Sequence, residues 1–164
     1  MENCAACHGA DGRSQMAEVP SLAGQPTDFI VVQMILFREG LRQVPAMLEF
    51  ARGLPDQRIE ELAAWFASLP SGPPDDRGPR DDALGRRGEQ VSRERRCGIC
   101  HLPDYSGRAQ VPRIARQRED FLIHTLTQYR EGQRAGPDTQ MNSAVVGLSN
   151  ADIRALAHYL AQQQ

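Results

Sequence analysis

The sequence predicts an all-α protein built as two tandem halves joined by a proline-rich linker, and three observations carry that prediction. Apolar residues recur at helical spacing: Ile59, Leu62, Ala63 and Phe66 form one stripe, and Ile153, Leu156, Ala157 and Leu160 form another. The segments ahead of these stripes repeat as well, because Phe29, Phe37 and Gly40 stand at the same gaps as Phe121, Tyr129 and Gly132, with a shared Arg-Glu-Gly ending. Between the halves, the stretch 70–82 combines four prolines with charge and almost nothing apolar, which reads as an extended linker.

Taken in order, 27–39 and 119–131 are helical in pattern, and Gly40 and Gly132 close them at the C-terminal capping position. Each half ends in an amphipathic helix. Pro55 stands where a first-turn proline is tolerated, and Ser149 with Asp152 forms a capping box. The second half has one more helical segment, 83–95, with Gly85 or Gly88 placed for a close helix crossing. The expected boundaries are therefore 1–70 for the first domain, 71–82 for the linker and 83–164 for the second.

Composition bounds the function. Halves this short cannot bury a generous core alone, and nine aromatic residues do little to fill one. The chain has no lysine; nineteen arginines carry the basic charge against a formal net of −2. Residues 1–70 hold five Arg and nine acidic residues, whereas 71–164 hold fourteen and twelve. This polarity suits docking to a protein partner and not a nucleic acid. No apolar run approaches the roughly eighteen residues that cross a bilayer.

All four cysteines fall in two motifs, Cys4-Ala5-Ala6-Cys7-His8 and Cys97-Gly98-Ile99-Cys100-His101. A CxxC pair alone is also the mark of a thioredoxin-like dithiol or half a zinc site, but a following His makes it the attachment signature of c-type haem. The spacing has a mechanical reason: two thiols add to the two vinyl groups of one porphyrin, and the next residue lies under the iron. A single zinc site would leave both histidines and the duplication unexplained. Two covalently bound haem c groups are therefore expected, on Cys4 and Cys7 and on Cys97 and Cys100, with His8 and His101 as proximal ligands.

Electron-transfer haems commonly take methionine as the second axial ligand, which raises the potential. The repeat selects which: Met47 precedes Gly53, Leu54 and Ile59 by the distances at which Met141 precedes Gly147, Leu148 and Ile153. Met34 faces Leu126 in the repeat and Met16 faces no Met, so both read as packing or loop residues.

These residues carry a resemblance. A CxxCH, a Pro-x-Leu/Ile-Ala segment (Pro20-Ser21-Leu22-Ala23 and Pro112-Arg113-Ile114-Ala115), an amphipathic helix, a Met, and a Gly-Leu turn into a final helix together resemble class I cytochrome c, present twice. The whole chain resembles the di-haem cytochromes of the c-four type, and is also similar to the di-haem subunit of flavocytochrome c sulfide dehydrogenases. The resemblance implies two all-α domains, each around one His/Met haem, with the Pro20 and Pro112 carbonyls accepting the proximal imidazole N–H. It implies an electron carrier and not an enzyme, working between a dehydrogenase donor and an oxidase or other cytochrome acceptor. The alternative is the haem-bearing acceptor subunit of a larger dehydrogenase or membrane complex; a haem enzyme with an open iron site lacks a distinctive distal acid or base.

Haem attachment occurs outside the cytoplasm, so a periplasmic location is expected. Against the family pattern, the first helix of the first domain is missing or truncated, an expectation that leaves Trp65 and Phe66 exposed for a partner or for residues of a longer gene product. Arg116 replaces the Gly24 of the first half, and Arg113 and Arg116 read as exposed arginines on a solvated face, with pairing to a haem propionate as the other reading. His124 and His158 oppose Val32 and Ala64 in the repeat and so read as non-ligands; Trp65 and Tyr159 read as packing residues. The charge asymmetry and the differing approaches to the two Met, Val44-Pro45-Ala46 against Asp138-Thr139-Gln140, predict two unequal potentials.

Overall fold

Helices account for the regular structure in the computed structural model, which describes residues 2–134 and 139–163; among these the sole extended pairing is a bridge between Arg108 and Val111. The first half contains α1 (Glu2–His8), α2 (Thr27–Arg38), α3 (Pro45–Ala51) and α4 (Asp56–Ser68). The second contains α5 (Asp82–Glu94), α6 (Cys97–His101), α7 (Glu119–Arg130), α8 (Gln140–Val145) and α9 (Asn150–Ala161).

The repeat shows in the helix ends. After α2, Gly40 takes φ 68°, its N–H bonds the Phe37 carbonyl at 3.0 Å, and Leu41 N–H bonds Leu36 O at 2.8 Å. After α7 the same two bonds run from Gly132 to Tyr129 (3.2 Å) and from Gln133 to Gln128 (2.9 Å). This is the Schellman closure, which satisfies carbonyls the helix leaves open. Helix α9 starts with Ser149 accepting from Asp152 N–H in a reciprocal capping box, while α4 begins one residue later than expected, with Pro55 at its N-cap. The short helices α3 and α8 have no periodic apolar stripe long enough to announce them.

Packing differs between the halves. In the second, α5 crosses α9 at Gly88: a Cβ there would lie 2.5 Å from Tyr159 Cβ and closer still to the Ala155 carbonyl oxygen. Gly85 meets nothing, so the crossing belongs to Gly88 alone. Around it, Val91, Leu122, Leu126, Ile153, Leu156 and Leu160 make one buried cluster. The first half has a smaller cluster of Ile30, Ala63 and Phe66. Here one expectation is corrected: Phe66 is buried, its ring edge-on to Trp65 at 4.6 Å, and Trp65 is half-buried, so this face of α4 is largely closed by its own neighbours.

The linker is irregular but pinned. Asp75 accepts from Gln15 (2.8 Å), Asp76 from Arg118 (2.8 Å), Gly78 O from Gln162 (3.0 Å), and Asp81 N–H donates to His158 Nε2 (2.9 Å). The halves also meet directly, through a two-fold-like clasp. Gln25 donates to Arg113 O (2.8 Å) and accepts from Arg113 N–H (3.0 Å), while Gln117 donates to Ser21 O (2.9 Å) and accepts from Ser21 N–H (2.8 Å). Gln25 and Gln117 are repeat equivalents, as are Ser21 and Arg113, so the same surface serves both sides, the hallmark of an isologous contact. Among the described residues, no helix is long and apolar enough to cross a membrane.

Candidate functional site

Two short helices carry the motif residues. On α1, the i, i+3 spacing sets Cys4 and Cys7 on one side with His8 beside them, and α6 does the same for Cys97, Cys100 and His101. All four thiols are free, with no disulfide. Among the described residues no three His, Cys, Asp or Glu side chains gather as a metal-ion site, so the zinc alternative finds no support.

Both histidines are buried, at 8 % and 5 % exposure, and both are oriented by the same bond. His8 Nδ1 donates to Pro20 O at 2.9 Å and His101 Nδ1 to Pro112 O at 2.8 Å. A carbonyl can only accept, so Nδ1 carries the proton and, in the neutral ring, the lone pair lies on Nε2. Burial pushes both imidazoles below their usual pKa, against a raising contribution from the carbonyl bond, and so favours that neutral form. Neither Nε2 forms a hydrogen bond among the described residues.

The loops that present these carbonyls are built alike. Gly12 O accepts from Leu22 and Ala23 N–H at 2.8 and 3.0 Å, and Tyr105 O accepts from Ile114 and Ala115 N–H at 3.0 and 3.2 Å. Gly24 N–H bonds Phe66 O, and Arg116 N–H bonds Leu160 O, both at 3.0 Å. Where the first half uses Gly9, Gly12 and Gly24 at positive φ, the second uses Leu102, Tyr105 and Arg116 in the same left-handed region, a strain that the surrounding bonds must hold. Tyr105 is fixed by Ser92 Oγ at 2.9 Å.

Met47 lies half-buried on α3, which packs on α2; Met141 lies on α8 against the cluster of the second half. Met34 packs into the first cluster and Met16 is exposed. Ahead of each Met helix, an arginine stacks on an aromatic ring: Arg42 over Phe37 at 4.6 Å and Arg134 over Tyr129 at 4.8 Å. These pairs were not singled out from the sequence, although their equal spacing in the two halves is a readable signal. Asn142 ties α8 back by donating to Tyr129 O (2.8 Å) and Arg134 O (3.1 Å). Of the approach Asp138-Thr139-Gln140, Asp138 lies outside the described residues.

The remaining candidates are also placed. His158 is buried between Glu119 Oε2 (2.9 Å) and Asp81 N–H, while His124 is exposed, 3.9 Å from Glu18. Arg116 reaches the linker at Ser71 O, 3.3 Å. The expectation for Arg113 is corrected: it is 5 % exposed, because its donors are drawn to Ala23 O and Ala115 O inside the seam between the halves.

This donor set fits a tethered haem in each half. It offers two free thiols, a neutral imidazole with an uncommitted Nε2, and a thioether on a short helix of the same half.

The family described as cytochrome c matches residues 85–164, and that described as cytochrome C oxidase, cbb3-type, subunit III matches residues 1–66. A cytochrome c4 from Pseudomonas aeruginosa is 36 % identical, over 96 % of this chain and 82 % of its own length. A thiosulfate dehydrogenase electron acceptor from Stutzerimonas stutzeri is 31 % identical, over 96 % of this chain and 77 % of its own. The crystal structure of reduced recombinant cytochrome c4 from Pseudomonas stutzeri superposes with a TM-score of 0.89 at 32 % identity, covering 99 % of this chain and 94 % of that one. With a tandem helical fold, two CxxCH helices and these relatives, the chain belongs to the cytochrome c4 family: it is an electron carrier with two covalently bound haem c groups, and it works with redox partners.

Proposed function

We propose that Cys4 and Cys7 tether one haem with His8 and Met47 as axial ligands, and that Cys97 and Cys100 tether the other with His101 and Met141. The observation that carries this reading is the matched pair of Nδ1–H bonds to Pro20 and Pro112, which aim an unprotonated Nε2 from each buried ring. Haem supplies the one-electron iron couple; the chain supplies its environment. The proline carbonyls fix ring tautomer and orientation and strengthen the imidazole as a donor. The short helices α3 and α8, held by the Arg–aromatic stacks and by Asn142, deliver the thioethers. His8 with Met47 and His101 with Met141 would each hold a haem from the chain alone, which suits outer-sphere electron transfer and not substrate binding at iron.

The domains run 1–70 and 83–164 about the linker 71–82 in this reading. Covalent attachment of this kind places the protein in the periplasm, with a dehydrogenase as donor and an oxidase or another cytochrome as acceptor. A second reading, the acceptor subunit of a dehydrogenase, is favoured by the relative that is named as such an acceptor. Co-purification with a second chain supports that reading, and a chain isolated alone from its native membranes and periplasm contradicts it. The attachment is tested by tryptic mass spectrometry, since cleavage after arginine gives peptides 1–13 and 97–108 with one motif each. Each should be heavier by one haem; either peptide found with free thiols overturns its half of the proposal.

A further inference from the structure

The glutamine clasp at the seam does more than join the halves, because the groups it holds belong to the two peptide units that orient the histidines. A trans peptide bond is a rigid plane in which the carbonyl of one residue and the N–H of the next point in opposite directions. Both units here are trans. In the unit between Pro20 and Ser21, the carbonyl accepts from His8 Nδ1 at 2.9 Å, while the N–H at the other edge donates to Gln117 Oε1 at 2.8 Å. In the unit between Pro112 and Arg113, the carbonyl accepts from His101 Nδ1 at 2.8 Å and the N–H donates to Gln25 Oε1 at 3.0 Å. Each plane is gripped on one edge by the imidazole of its own half and on the other by a glutamine of the opposite half.

The grip is buried and its polarity is fixed. Gln25 and Gln117 are 3 % and 2 % exposed. Ser21 and Arg113 N–H can only donate and their carbonyls can only accept, which sets Oε1 and Nε2 of each glutamine on opposite partners. Among the described residues, neither N–H has another acceptor. The own-half carbonyls Gly12 O and Tyr105 O take the N–H groups of the two residues that follow, 22–23 and 114–115, and leave this one to the clasp. Hydrogen bonds in a chain polarise one another, so an acceptor on the N–H makes the carbonyl of the same peptide a stronger acceptor. A stronger pull on Nδ1–H in turn makes Nε2 a better donor to a metal.

We propose that Gln117 and Gln25 are crossed positioning residues: Gln117 sets the donor strength of His8 across the seam, and Gln25 sets that of His101. This rests on the attachment reading above and adds to it a link by which each half tunes the site in the other. A more electron-rich imidazole favours the ferric over the ferrous state, so the clasp lowers both midpoints, each from the opposite half. A clasp that served cohesion alone would have no such crossed effect.

The test compares the full haem-loaded wild type with Gln117→Met and Gln25→Met, side chains of similar length that cannot hold the N–H as an amide does. Two quantities are read: the NMR positions of the His8 and His101 Nδ1–H signals in the reduced, diamagnetic protein, and the two midpoints by potentiometric titration. Gln117→Met should move the His8 signal upfield and leave His101 in place; Gln25→Met should do the reverse. In each variant one midpoint should rise, so that its reduced-to-oxidised ratio at a fixed potential increases about threefold, equivalent to about 28 mV at about 59 mV per tenfold. Signals that stay in place, move together or move only in the half of the substituted glutamine would overturn the proposal, as would a midpoint that falls. Should a Met variant not accumulate, Gln117→Glu and Gln25→Glu decide by NMR, because a carboxylate takes the same N–H as a charge-assisted bond. They should move the same crossed signals downfield, and unmoved crossed signals contradict the proposal. Haem is quantified on every sample: a wild-type chain with fewer than two haems fails the attachment reading, whereas two haems with uncrossed shifts fail the clasp.

Discussion

A single proton position organises each half of this protein. Because the Pro20 and Pro112 carbonyls can only accept, they hold the proton of His8 and His101 on Nδ1 and leave Nε2 as the nucleophilic edge of a buried, neutral ring. The proposed partner on the other side is a thioether, for which the repeat selects Met47 and Met141. Met47→Ala and Met141→Ala should each remove about half of the sulfur-to-ferric-iron absorption, one site of two, and lower the potential of the altered site only. A variant with an unchanged spectrum would remove that methionine from the proposal. These residues were readable because covalent chemistry demands a fixed local spacing. Arg113 was not: its burial depends on Ala23, ninety residues away in the other half, and nothing local in the sequence distinguishes it from a solvated arginine.

Helix α5 and its contact with α9 show how one missing side chain sets a crossing. At Gly88 the Ala155 carbonyl and Tyr159 Cβ occupy the space a methyl group would need, and backbone cannot swing aside as a flexible side chain can. Gly88→Ala should cost at least about 1–3 kcal/mol in chemical denaturation of the haem-loaded protein. Gly85→Ala, facing open space in the same helix, should be neutral or stabilise by up to about 1 kcal/mol. Equal effects at the two positions would refute this account of the crossing. The long helices were legible to within a residue or so, since α2 and α7 pair helical spacing with a glycine just past the end. The Met-bearing helices α3 and α8 were not, because six or seven residues make less than two turns and show no stripe. Their position comes from tertiary contacts, through Asn142 and the Arg–aromatic stacks.

Across the entire chain, the linker and the glutamine clasp convert two small domains into one unit. Arg118 joins the first half at Ser14, the linker at Asp76 and the second half at Asp120. Gln25 and Gln117 each satisfy the N–H and carbonyl of one residue opposite, so removing either orphans two buried backbone groups. Gln25→Ala and Gln117→Ala should each cost about 1–3 kcal/mol, with the halves beginning to unfold separately in the double variant. A single variant that melts like the wild type would show that the seam is held elsewhere. The proline-rich composition of 70–82 is readable in the sequence, but composition says nothing of the pins that hold this stretch, because they depend on partners distant in sequence such as Arg118 and Gln162. All of this serves the arrangement proposed above, in which imidazole and thioether would hold one haem in each half. A reduced-minus-oxidised spectrum with haem quantification on the intact chain tests it most directly. Two haems per chain, both low-spin and both with methionine-to-iron absorption, are the predicted result; one haem, or a site ligated by anything other than histidine and methionine, contradicts it.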